Sequence, residues 1–142
     1  MDVSRVRNQL TLAMERARKK AQERRAYLTT AEQAYAVFLQ SVAIPLVRQL
    51  TMALKAETVP FTMSTPEAVV KLASDRNRDD FIQIGFDATA DPPGVVIRVS
   101  TGRGSRVITE ERPLKPGAAP EDITDEDVLN AILIPLERWL ER

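Results

Sequence analysis

The hydrophobic period of this chain changes at Val59, and that change does most to fix the fold class. Before it, apolar side chains recur every three or four residues, the spacing of a helical face. From Val59 to Arg112 they come in short β-rich runs separated by turn residues, and after Thr124 the helical spacing returns. Blocks of helix, strands and helix predict an α+β fold. A length of 142 residues suits a single domain around one core, with a long basic helix over 1–28 and the compact core over 29–142.

The first helical segment, Val3 to about Ala26, has no proline or glycine and carries Val3, Val6, Leu10, Ala13, Met14, Ala17 and Ala21 on one face. Beyond Met14 the stripe narrows to alanine, which admits close approach by another helix but buries little area per residue. At about 1.5 Å per residue the segment spans about 36 Å, more than one small core covers. Its basic half is therefore expected to project or to find a partner. Thr30, with Gln33 three residues on, reads as a capping box that opens a second helix over Ala31–Glu57; a helix unbroken through Thr29 and Thr30 is the alternative. Tyr35, Phe38, Leu39, Val42, Leu46, Leu50, Ala53 and Leu54 form the apolar face of that second helix.

Five runs follow: "VPFTMS", "EAVVKLAS", "DDFIQIGFDA", "GVVIRVS" and "SRVITEER". Short connections at 65–66, 75–78 and 101–104 imply antiparallel neighbours, hence a meander of four or five strands. Alternation places Ile82, Ile84, Phe86, Val95, Ile97 and Val99 on a buried face, and Phe81, Gln83, Gly85, Val96, Arg98 and Ser100 on the other, so helices are expected to cover one side only. Thr124, with Asp127 at the third helical position, caps the last helix.

Two apolar helical stretches share a frame: "FLQSVAIPLVRQL" at 38–50 and "VLNAILIPLERWL" at 128–140. Proline inside a helix loses a backbone hydrogen bond and meets the carbonyl four residues back, here Ser41 and Ala131. The expected consequence is a bend in the second and last helices, both packed on the same sheet face; a fresh helix starting at each proline is the rival reading.

Cysteine and histidine are both absent. That excludes disulfides, thiolate and serine–histidine catalysis, sulfur-based or HExxH zinc sites and any imidazole switch. The charged N-terminus and the short apolar runs around Pro45 and Pro135 point to a soluble cytoplasmic protein that does not span a membrane. Net charge is zero, yet residues 1–25 hold eight basic and three acidic side chains, while residues 110–142 hold nine acidic and four basic. The chain is a dipole in sequence.

Three clusters are candidates for chemistry. The run "RARKKAQERR" places Arg16, Arg18, Lys19, Lys20, Arg24 and Arg25 around much of a helix, where they would attract phosphates without reading bases. The plainer reading is a solvated or protein-binding face, partly neutralised by a Glu15–Lys19 pair. "STGRGSR" sets Arg103 and Arg106 in a glycine-rich hairpin tip, a candidate anion cradle that lacks the lysine and spacing of a phosphate loop. In "SDRNRDDF", Asp79 and Asp80 read as adjacent strand residues pointing to opposite faces, which argues against a joint metal or acid–base site. Trp139 reads as core, or as an anchor for a partner.

No catalytic residue, metal ligand or cofactor is expected. The function expected is a non-catalytic interaction or assembly module. It would self-associate through Val3, Val6, Leu10, Met14, Ala17 and Ala21 as a homo-oligomer, a dimer in the simplest case, or bind another protein. The alternative is a nucleic-acid-associated protein using the basic run with Arg103 and Arg106.

Overall fold

The computed structural model describes all 142 residues. By its internal contacts the chain divides into two units, Met1–Thr30 and Ala31–Arg142. Helix α1 runs without a break from Val3 to Phe38. Thr30, expected to cap a second helix, lies inside the first, as the alternative of a helix unbroken through Thr29 and Thr30 had it, because both hydroxyls bond backward. Thr29 donates to the Arg25 carbonyl and Thr30 to the Ala26 carbonyl, each at 3.1 Å. Thr11 and Thr51 do the same to Arg7 and Val47.

The strain expected at Pro45 is met by a change of pitch. Leu39–Ala43 form a single π-turn, in which the Ile44 N–H reaches the Leu39 carbonyl, and Pro45 then falls in the first turn of helix α2, Ile44–Ala56. The wider turn makes room for a proline ring that would otherwise meet the Ser41 carbonyl. A widened turn thus stands where the sequence suggested a bent second helix. The rod Val3–Ala56 contains an 18-residue window of mean hydropathy 1.4, long and apolar enough to cross a membrane, although a third of that window is buried in the protein. Phe38, Leu39, Ala43, Ile44 and Val47, from its most apolar stretch, all belong to the core.

Strands β1 (Phe61–Ser64), β2 (Val70–Ser74), β3 (Phe81–Asp87), β4 (Gly94–Arg103) and β5 (Arg106–Pro113) form one antiparallel sheet in sequence order, the meander expected. Register stacks the expected inner residues of β3 and β4, Ile84 facing Ile97 and Ile82 facing Val99, and adds Val70 and Leu72 of β2 opposite Ile84 and Ile82. These side chains join Val47 and Leu54 of α2, and Val128, Ile132 and Leu136 of the last helix, in one core. The β4–β5 turn is tighter than expected. Only Gly104 and Ser105 lie outside the ladder, with Gly104 at φ +61, whereas Gly102 is a strand residue.

Helix α3, Asp125–Leu140, begins with the expected capping box: the Asp127 N–H donates to Thr124 Oγ1 at 3.2 Å, and the Thr124 N–H to Asp127 Oδ2 at 3.0 Å. Lys115 adds an ion pair to the same oxygen at 3.1 Å. The Thr124 N–H, with Lys115 behind it, holds the Asp127 carboxyl below its ordinary range. Pro135 sits inside α3, buried against the core.

Tyr35 ties the rod to the β1–β2 loop. Its hydroxyl donates to the Ala68 carbonyl, in a segment where Glu67 and Ala68 adopt φ +36 and +55, conformations unusual for residues with a side chain. Burial raises the Tyr35 phenol from 10.0 to about 12. The folded chain therefore holds this proton more tightly than the unfolded chain. The associated stability is complete below pH 10 and disappears as pH rises toward 12, a loss of about 3 kcal/mol. Tyr35→Phe lacks that loss but also lacks the hydrogen bond to Ala68, worth about 1 kcal/mol. Urea titrations should find the variant less stable at pH 7 and the order reversed near pH 12; parallel curves would mean that the phenol does not govern alkaline unfolding.

Candidate interaction surface

The helical segment 3–30 is exposed along nearly its whole length, its apolar stripe included: Val3 is 72%, Leu10 59% and Met14 46% accessible. Leu10, Met14, Ala17, Ala21, Arg24 and Leu28 follow one another at alternating intervals of four and three, which makes two adjoining rows, Leu10–Ala17–Arg24 and Met14–Ala21–Leu28. This is the spacing of a coiled-coil seam. Val3 continues the first row, Val6 and Ala13 flank it, and Arg24 is its one charged member. The spacing runs on into Ala31, Tyr35 and Phe38, which are buried. The sequence shows most of these residues but ends the stripe at Ala21, because the first helix is expected to stop at about Ala26, short of Leu28.

The basic run occupies the same segment. Arg16, Arg18, Lys19, Lys20, Arg24 and Arg25 are all exposed, and the three ion pairs of the structure involve none of them. The expected Glu15–Lys19 pair is therefore not formed. Arg103 and Arg106 belong to the other unit, facing each other across the β4–β5 ladder beside the turn.

A cleft of about 280 Å³ between the sheet and α3 is lined by Arg103, Ile108, Glu110, Arg138, Trp139 and Arg142. Trp139 is half-buried against the core. It stacks on Phe61 with ring centroids 6.2 Å apart and donates its indole N–H to Thr101 Oγ1 at 3.2 Å. Its polar and apolar parts are both engaged within the fold.

Asp79 and Asp80 precede β3 and do not lie in it, yet they are separated as expected: Asp79 is exposed and Asp80 only 4% accessible. The buried carboxylate accepts the Gly102 N–H at 2.9 Å and pairs with Arg142 Nη1 at 2.9 Å. Gly102 permits this approach. A Cβ there would lie 2.9 Å from the Asp79 Cβ and 3.0 Å from Asn77 Nδ2, so any larger residue would push the 75–80 turn off β4. Sequence reasoning missed both Arg142 and the strand role of Gly102, since each acts through a residue far away in the chain. No three acidic side chains lie close enough to hold a metal ion.

Comparison of the chain with protein-family models, with curated proteins and with solved structures gives no match.

Proposed function

We propose that this protein is a non-catalytic assembly module that self-associates through residues 3–28 of α1. The observation that carries the reading is the seam: an apolar stripe at coiled-coil spacing, exposed to solvent, on a helix whose continuation is a core element. A second copy suits this seam when it runs antiparallel. Each row then faces the other row of its partner, setting Leu10 against Leu28, Ala17 against Ala21, and Met14 against the aliphatic stem of Arg24. A parallel pairing would instead stack Arg24 on Arg24 within the seam itself.

The eight basic side chains of residues 1–25 also support a second reading, phosphate binding by the same helix. Salt separates the two. Two copies of a basic helix repel one another, so self-association should strengthen as added salt shortens the Debye length from ~30 Å at 0.01 M to ~8 Å at 0.15 M. Nucleic-acid binding weakens over the same range. Light scattering across that titration should show mass rising with salt, and Leu10→Asp with Met14→Asp should weaken association about a hundredfold or more, given ~1.5–3 kcal/mol for each apolar side chain buried. A mass that stays at one chain at every salt concentration, beside DNA binding that fades with salt, would replace the first reading with the second.

A further inference from the structure

Strand β5 ends the sheet, and all eight of its residues are exposed, Val107 at 53% and Ile108 at 44%. The opposite edge, β1, has only four residues, and very short edges resist pairing. β5 is long enough to template another strand. Its backbone orientation follows from the ladder. The Leu114 N–H donates to the Val95 carbonyl at 3.0 Å, and stepping back two residues at a time turns the peptide groups of residues 112, 110, 108 and 106 toward β4. Those of Val107, Thr109 and Glu111 point outward. Pro113 lies at an outward position, where its missing N–H costs the β4 ladder nothing.

We propose that this free edge pairs with β5 of a second copy, antiparallel and with the two-fold axis at Ile108. Only registers that oppose outward residues to outward residues can form hydrogen bonds, so the axis passes through a residue of β5 and not between two. Centring on Thr109 sets Arg106 against Arg112; centring on Glu110 or Glu111 sets glutamate against itself. Centring on Ile108 pairs Ile108 with Ile108, Val107 with Thr109 and Arg106 with Glu110, each of the last two twice, and leaves Pro113 outside the ladder. Apolar meets apolar at the axis, and the two charges within the paired stretch, Arg106 and Glu110, meet each other. Charges that normally protect an edge here select one register. This contact is independent of the α1 seam, and two unrelated two-fold contacts on one chain make assemblies larger than a dimer.

Sedimentation velocity on the full chain tests this. Leu10→Asp/Met14→Asp, which breaks the seam, is expected to leave a dimer, and Thr109→Pro added to it should leave a monomer, because proline there removes an outward N–H only. In the seam-broken chain Arg106→Glu should raise the dimer dissociation constant about tenfold or more through two like-charge pairs, and Glu110→Arg added to it should restore the original value. A seam-broken chain that is already monomeric, or one whose mass ignores Thr109→Pro, overturns the proposal. So does a charge reversal that fails to rescue. If the seam variant instead keeps the wild-type mass and Thr109→Pro alone makes the protein monomeric, the edge is the contact and the seam reading fails.

Discussion

Replacing Arg142 with methionine is expected to cost the fold about 2 kcal/mol in chemical denaturation at neutral pH, less than for a fully buried ion pair because the Arg142 side chain is itself 44% exposed. Asp80 is 4% accessible, and its carboxylate has two partners, the Gly102 N–H and the Arg142 guanidinium, each at 2.9 Å. Methionine retains an aliphatic stem to cover the sheet end and removes only the charge. The carboxylate is then left buried with a single neutral donor. Asp80→Asn removes the charge that needs the guanidinium and keeps an oxygen for Gly102. Arg142→Met made on that background should therefore cost less than about 1 kcal/mol. Equal costs in the two backgrounds would show that Arg142 acts through packing and not through its charge.

Ile97→Ala is expected to be at least as damaging, at about 3–4 kcal/mol. Ile97 is 0% accessible and stands on the inner face of β4, with Ile84 beside it on β3 and Arg112 on β5. The β3 neighbour is fixed by its own core contacts, and an arginine cannot fill an apolar hole without burying its charge. The cavity should persist. Met52→Ala, on α2 and 66% accessible, should stay within about 0.5 kcal/mol. Similar losses at both positions would mean that the core does not lie where its burial places it.

The difference between these two sites shows what the sequence could and could not disclose. Ile97 was legible because alternation along one strand already assigns its face, and the same holds for Ile82, Ile84, Val95 and Val99. The Thr124–Asp127 cap was legible because its partners lie three residues apart. Thr30 was open to two readings because a threonine hydroxyl can serve an N-cap or bond back to the preceding turn, and only the surrounding helix decides between them. Pro45 marked the place where the rod departs from α geometry, but proline alone does not say whether the backbone bends, breaks or widens. Asp80 and Arg142 stand 62 positions apart, a separation at which residue type and spacing carry no pairing information. The apolar stripe of α1 was visible from the start. What waited for the structure was its exposure and its extension through Leu28.

The π-turn at Leu39–Ala43 works as a gear between two lengths of one shaft. Each residue of an α-helix advances the facing direction by about 100°, and this turn absorbs its extra residue, which lets Tyr35 and Phe38 ahead of it, and Val47 and Leu54 behind it, engage the same core. Loss of a single codon from this stretch would leave a regular helix with its rear teeth still in mesh, whereas gain of one would turn Val47 and Leu54 about 100° away from the core. The segment thus has room to lose one residue and none to gain one, a constraint that acts on the gene through counting and not through chemistry.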